Sequence, residues 1–418
     1  MIFIIADDLT GANDTGVQYR KNGFSTMVLT EYDEKIDAPS EDRKWFDGYD
    51  VLAINANSRQ LSPDEAYRRI YRLAERIGAI PAEYIYKKMD SLLRGNPAAE
   101  LDAVMDALQA EIALVVPSFP ENGRKLINGI LVAPNAERID VVETFRKSSK
   151  HTVCNLTLDE VQKGPEFLAG LIERKRREGL QIFVADAASE PELKTIKRAA
   201  RQITGQVIFC GSAGFAKQLS NQKKIRKDLG LEENSGGYVL VVAGSRRRET
   251  AVQLRKISQT FRTPIVTLDV SKAGGGGRER DEEIARCSDE ILRSAREGRR
   301  LMILAVSSLF GGGREEHGLE PEDPGAVSIA GALGIAAEKI YRRIRFRGII
   351  STGGDTSLQI CRALQSKGIE LYDEIAAGIP VGRMVGGEAD GMNIITKSGG
   401  FGDGDALIQA VNYLDRSR

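Results

Sequence analysis

The 418-residue chain predicts an α/β fold of two domains, each with a mostly parallel sheet flanked by helices, and with ligands bound at the interdomain cleft. Three observations predict it. The length exceeds the ~250–300 residues at which one core usually divides. Short apolar, β-favouring runs alternate with helical patterns, as in successive βαβ units. The alternation pauses at a polar stretch, Ser220–Gly237 (SNQKKIRKDLGLEENSGG), and then restarts, which sets domains at 1–225 and 236–418.

Each element follows from local pattern. Met1–Ile5 is one short buried strand that stops at Asp7-Asp8. Ser25–Thr30, Asp50–Ile54, Tyr84–Lys88, Ile112–Pro117, Gln181–Ala185 and Gln206–Cys210 are further strands of the first half. Ser62-Pro63-Asp64-Glu65 is a capping box with proline at the first helical position, followed by Ala66, Ile70, Ala74 and Ile77 at helical spacing. Asn96-Pro97 opens another helix, with Leu101, Val104, Met105 and Leu108 as its apolar stripe. In the second half Tyr238–Ala243, Pro264–Asp269, Leu301–Val306, Arg347–Ser351 and Asn393–Thr396 read as strands. Two glycine-rich stretches, 274–277 and 311–324, read as mobile loops.

Composition excludes several classes. Lys plus Arg equal Asp plus Glu at 59 each, which gives no support to a nucleic-acid or membrane-surface role. The cysteines, Cys154, Cys210, Cys287 and Cys361, are scattered singly, so neither a zinc site nor a disulfide framework is indicated. Only His151 and His317 are available for histidine chemistry, and no protein-held metal site is assigned. The N-terminal apolar run is too short for a signal peptide, and no run approaches a membrane span. A cytoplasmic setting is expected.

Polar clusters follow the strands of the first half. They are Asp7 and Asp8 with Thr10; Asn55, Asn57, Ser58 and Arg59; Lys87, Lys88, Asp90, Ser91 and Arg94; and Ser118, Glu121, Asn122 and Arg124. If the strands are parallel neighbours, these clusters share the carboxyl edge of the sheet, where open α/β sheets bind ligands. Carboxylates accept hydrogen bonds from hydroxyls and arginine forks a carboxylate, so the set suits an anionic, hydroxylated substrate such as a sugar acid. The competing readings are that Asp8 or Thr10 caps the next helix, and that the charges form surface ion pairs.

The second half carries three glycine turns after strands: Val242–Ser245, Ser351-Thr-Gly-Gly-Asp-Thr-Ser357 and Lys397-Ser-Gly-Gly-Phe-Gly-Asp403. Such turns let backbone N–H groups approach phosphates, the competing reading being tight turns that simply need glycine. No Walker loop and no dinucleotide fingerprint is present. An acid-sugar pocket and a phosphate cradle together imply a phosphotransferase that closes over both ligands.

The chain resembles the four-carbon acid sugar kinases. The likeness spans nearly its whole length, through ADDLTGANDTG at 6–16, NANSR at 55–59, YKKMDSLLRGN at 86–96, PSFPENGR at 117–124, GSAGFA at 211–216, STGGDTS at 351–357 and GIPVGRMVGG through KSGGFGD at 378–403. The opening is closer to the D-threonate and D-erythronate branches than to the 3-oxo-tetronate branch, where Phe is expected in place of Leu9. The resemblance implies an N-terminal sugar-acid-binding domain and a C-terminal nucleotide-binding domain, with ATP and Mg²⁺ as cofactors. It implies substrate contact by Asp7, Asp8, Arg59, Lys87, Lys88, Met89, Asp90 and Ser91. It implies nucleotide contact by Ser245, by Thr352, Gly353, Gly354, Asp355 and Thr356, and by Gly399, Gly400, Phe401, Gly402 and Asp403. The chain departs from the family in Arg246-Arg247-Arg248-Glu249 after Gly244-Ser245, which is more basic than the family pattern.

The expected reaction is ATP-dependent phosphorylation of the C4 hydroxyl of D-threonate, with D-erythronate or 3-oxo-tetronate as alternatives. Arg59 and Lys87 or Lys88 would bind the carboxylate. One of Asp8, Asp90 or Asp355 would orient or deprotonate the attacking hydroxyl. Rival classes are a nucleotide-cofactor oxidoreductase and a non-catalytic sugar-acid sensor. The expected partners are a small-molecule sugar acid and ATP, without nucleic acid or membrane, and with a homodimer as the assembly.

Overall fold

The computed structural model describes residues 1–31, 48–134, 138–221, 237–275, 277–310 and 324–415. They fall into two compact units, the first holding residues 1–27 and 31–226 and the second 28–30 and 227–418. The expected boundary between 225 and 236 and the stretch 311–323 lie outside the described residues.

The strands of the first unit are β1 (Ile2–Ala6), β2 (Thr26–Leu29, whose last residues count with the second unit), β3 (Val51–Asn55), β4 (Tyr84–Lys88), β5 (Ile112–Val116), β6 (Lys125–Ile127), β7 (Ile130–Val132), β8 (Ile139–Asp140), β9 (Val153–Leu156), β10 (Ile182–Ala185) and β11 (Val207–Gly211). Its main sheet runs β3-β1-β4-β11-β5-β10-β9. Every adjacent pair in that run is parallel. Residues 2–6, 51–55 and 112–116 are buried throughout, as parallel strands covered on both faces require.

Three helices position the site. α1 (Leu9–Lys21) starts directly after β1, with Asp8 as its N-cap. α2 (Pro63–Gly78) is closed by the Ser62/Glu65 capping box and buries Ala66, Ile70, Leu73, Ala74 and Ile77. α3 (Pro97–Leu108) buries Leu101, Val104 and Met105, and also Glu100. A small antiparallel sheet, β6-β7-β8, turns through Asn128-Gly129, both at positive φ.

The second unit contains β12 (Tyr238–Ala243), β13 (Ile265–Leu268), β14 (Leu301–Val306), β15 (Phe346–Thr352), β16 (Gly368–Glu374), β17 (Pro380–Val385) and β18 (Asn393–Lys397). The order β13-β14-β12-β15-β18 is parallel, and β17 and β16 extend it antiparallel. The glycine run expected as a loop at 274–277 differs. Helices Val270–Gly275 and Gly277–Arg296 meet there. Asp269 accepts the Ser271 amide at 2.9 Å, its carbonyl takes the Ala273 amide at 2.9 Å, and Ala273 is buried, which winds the first of these helices up to the glycines.

Candidate functional site

β3, β1 and β4 are level: Ala6 stands opposite Asn55 on one side and Lys88 on the other. The segments that follow them therefore emerge together at the carboxyl edge of the first unit. The amides of Ser58 and Arg59 both donate to the Asp7 carbonyl, at 3.0 and 3.3 Å. Asn57 and Leu93, one in each flanking loop, sit at φ 48° and 57°. A bulky residue such as Leu in that region is strained, and strain of this kind gathers at working sites.

Arg59 organises the acids. Its Nε donates to Asp7 Oδ2 at 2.7 Å, its Nη1 to Asp8 Oδ2 at 2.6 Å, and its Nη2 lies 3.7 Å from Asp90 Oδ1. Asp90 also takes a fork from Arg94, at 2.9 and 2.7 Å. Burial alone would raise the Asp7 carboxyl, but Arg59, Lys88 and Lys87 outweigh it and hold Asp7 below the usual range. Burial is likewise the largest influence on Asp90 and is overridden by Arg94, Arg59 and Lys88, so Asp90 is held well below its ordinary value. Asp7 Oδ1 is buried and has no hydrogen-bond partner among the described residues. Asp8 does both things weighed from the sequence. Its Oδ1 caps α1 at Gly11 N, 2.7 Å, while Oδ2 accepts from Thr10 Oγ1 at 2.8 Å and from Arg59.

The two lysines, interchangeable by sequence, are separated by the fold. Lys87 is fully buried, with Nζ 2.6 Å from Glu100 Oε2 and donating to the Lys88 carbonyl at 2.7 Å. Glu100 Oε1 accepts from Ser58 Oγ at 2.6 Å. Burial pushes the Glu100 carboxyl up, while for Lys87 the same burial is outweighed by Glu100 and Asp7, which raise it. Lys88 is also buried, yet no hydrogen-bond acceptor meets its ammonium among the described residues. That ammonium lies over the start of α1, 2.9 Å from where a Cβ on Gly11 would stand. Met89 is buried with Sδ 3.9 Å from Cys210 Sγ, whereas Ser91 is half-buried. Of the residues expected to meet the ligand, Lys87 is thus held by Glu100, and Met89 packs against β11.

In the second unit β12, β15 and β18 are level, with Thr352 opposite both Ala243 and Lys397. Their three glycine turns touch. The amides of Gly244 and Ser245 donate to the Thr352 carbonyl, each at 3.2 Å, and Gly353 N donates to the Lys397 carbonyl at 2.9 Å. Gly353 has φ 108° and opens the helix Gly354–Ala363. A Cβ on Gly399 would stand 1.9 Å from Ser245 Oγ, so only glycine permits this approach. Asp355 is exposed in the first turn of that helix, while Thr352 and Thr356 are buried. Gly400, Gly402 and Asp403 are exposed and Phe401 is half-buried.

Sequence reasoning missed Glu100, Thr250 and Gln253. Thr250 donates to the Gly399 carbonyl at 3.0 Å, and Gln253 Nε2 donates to the carbonyls of Phe401, Gly402 and Asp403. The available signal was a polar residue at helical spacing on an apolar face: Glu100 beside Leu101 and Val104, and Gln253 beside Leu254 and Ile257. No group of three or more His, Cys, Asp or Glu side chains suited to a metal ion occurs among the described residues. No helix among them is long and apolar enough to cross a membrane.

Comparison with known proteins agrees with this division. Residues 2–219 match a family profile described as a sugar-binding N-terminal domain, and residues 240–407 one described as a nucleotide-binding C-terminal domain. The chain is 30% identical over 442 residues to the D-threonate kinase of Salmonella typhimurium, covering 99% of this chain and 98% of that one. It is 30% identical to the D-erythronate kinase of Heliobacterium modesticaldum, covering 99% and 97%. It is 25% identical to the 3-oxo-tetronate kinase of Methylobacterium radiotolerans, covering 98% of each. Solved structures from Salmonella typhimurium and Haemophilus influenzae share the fold, with TM-scores of 0.78 and 0.72 at 21% and 19% identity; the first covers 98% of each chain and the second 99% and 100%. The chain is a two-domain α/β carbohydrate kinase, and its kinase relatives imply a small-molecule substrate together with ATP. It belongs to the four-carbon acid sugar kinase family.

Proposed function

We propose that this kinase transfers the γ-phosphoryl group of ATP to the C4 hydroxyl of a four-carbon sugar acid, with D-threonate giving 4-phospho-D-threonate as the leading assignment. The observation that carries the reading is the charge arrangement around Arg59. Lys87 is matched by Glu100, and Arg59 and Arg94 are hydrogen-bonded to carboxylates, whereas Lys88 is not. A buried cation with no hydrogen-bonded carboxylate among the described residues, whose charge reaches Asp7 and Asp90, suits a single-carboxylate polyol. Lys88 takes the substrate carboxylate, with Arg59 Nη2 as the second donor. Asp7 Oδ1 and Asp90 face hydroxyls.

Asp8, whose side chain is 20% exposed against 2% for Asp7 and 7% for Asp90, orients the attacking hydroxyl and accepts its proton. ADP leaves as O4 bonds to phosphorus. The second unit holds the nucleotide at Ser245, at the 352–356 turn and at the 399–403 turn. Mg²⁺ would arrive on the phosphates and supply charge neutralisation, with Asp355 the acid beside the turn to meet it, as fits an ion that keeps few protein ligands.

The test is ADP formation with ATP against D-threonate, D-erythronate and 3-oxo-tetronate. A kcat/KM for D-threonate about tenfold above the other two supports the assignment. A preference for either alternative replaces the named acid, and turnover on none of them overturns the proposal.

A further inference from the structure

We propose that Lys397 is a positioning residue for the nucleotide: with Gln253 and Thr250 it turns the carbonyls of the 398–403 turn inward, so that the amides of that turn face a phosphate. This rests on reading the turn as part of the ATP site.

Lys397 closes β18 with no solvent exposure. Its Nζ donates to the carbonyls of Ser398, Gly399 and Phe401, at 3.0, 3.1 and 3.1 Å. No carboxylate pairs with it among the described residues. Burial lowers its ammonium to about 8, with Glu249 pulling the other way. A buried ammonium without a counter-ion costs stability that an apolar residue of similar volume would not. What the charge accomplishes is visible in the turn. Gln253 Nε2 reaches the carbonyls of Phe401, Gly402 and Asp403 at 3.2, 3.1 and 2.8 Å, and Thr250 Oγ1 reaches that of Gly399 at 3.0 Å. The carbonyls of 398, 399, 401, 402 and 403 are therefore all engaged by these three side chains, those of 398 and 403 also accepting the amides of Phe401 and Ala406.

In a planar trans peptide the carbonyl of one residue and the N–H of the next point in opposite directions. Pinning those carbonyls inward aims the N–H groups of Gly399, Gly400, Gly402, Asp403 and Gly404 outward. None of these amides donates to a group among the described residues. Outward amides in a glycine turn, with positive charge fixed behind them, form an anion-binding concavity.

The experiment is calorimetric titration of the full chain with ATP, alongside steady-state KM for ATP and for the acid. Lys397→Met is expected to weaken ATP binding and raise KM for ATP at least about tenfold, while KM for the acid stays within about twofold. In Lys397→Ala, added propylammonium is expected to restore ATP affinity, which a purely structural defect would not allow. A folded Lys397→Met with wild-type ATP affinity overturns the proposal, as does a Lys397→Ala defect that propylammonium leaves untouched. If neither variant folds, Gln253→Leu removes the donors to Phe401, Gly402 and Asp403; the same split supports the proposal and unchanged affinity overturns it. Failure of the wild-type chain to bind ATP would instead remove the nucleotide reading, and this inference with it.

Discussion

The guanidinium of Arg59 donates to Asp7 through Nε at 2.7 Å and to Asp8 through Nη1 at 2.6 Å, so one cation holds two consecutive carboxylates that would otherwise repel. Planarity makes this possible: two donors on one rigid fork meet two acids at fixed separation. Arg59→Ala is expected to lower kcat/KM for the acid ~10–100-fold while KM for ATP holds. Arg59→Lys should recover little, because an ammonium is a point charge. Steady-state kinetics on both variants check this, and wild-type behaviour in Arg59→Ala would mean that the pocket lies elsewhere.

Glu100→Gln should destabilise the chain strongly, by about 3–5 kcal/mol, because it leaves the Lys87 ammonium buried without its counter-charge. A paired exchange, Lys87→Met with Glu100→Leu, should cost far less than either single change, since breaking such a pair is worse than replacing it. Urea unfolding of Glu100→Gln, of each single change and of the pair measures the difference. Equal midpoints for Glu100→Gln and wild type would show that the ion pair carries no strain of this kind.

Asp90 gives the pH dependence a sign. Its folded value lies below its ordinary value, so its contribution to stability is complete above the unfolded value, about 3.8 to 3.9, and is lost as pH falls through the folded one. Asp90→Asn should therefore lower the urea midpoint at pH 7 and flatten its further decline below about pH 4. An acid limb as steep as that of wild type would contradict the ion-pair account of this residue.

Neighbouring glycines should respond unequally. A methyl on Gly399 meets Ser245 Oγ at 1.9 Å, whereas one on Gly400 meets nothing within 4 Å. Gly399→Ala is expected to lower the melting temperature and raise KM for ATP, with Gly400→Ala showing the smaller change in both. Thermal melts and ATP titrations of the pair decide it, and equal effects would mean that the two turns do not depend on their close approach.

Much of the fold was legible because period-2 and period-3.6 patterns are local. The parallel strands from Ile2–Ala6 to Asn393–Lys397 follow from short buried runs, except β9 (Val153–Leu156), whose alternating burial leaves no continuous apolar run to read. The Asn128-Gly129 hairpin was equally legible from Ile-Asn-Gly-Ile but went unread, and β16 and β17 were hidden by polar residues on their half-buried positions. At the candidate site, strand-end logic anticipated that Asp7, Asp8, Arg59, Lys88 and Asp90 gather at one sheet edge, as they do. It could not tell Lys87 from Lys88, because adjacent residues on a strand face opposite sides and only the tertiary partner, Glu100 from α3, decides which side is the interior. Gln253 was invisible for the same reason: its role exists only once the 401–403 carbonyls arrive.

The meeting of Lys87 with Glu100 also bears on descent. Losing either partner alone strands a charge in the interior, so a lineage can cross from this arrangement to an oily one only by exchanging both positions nearly at once. Among homologues the two sites should therefore travel together, as a matched acid and base or as two hydrocarbons, with mixed combinations scarce.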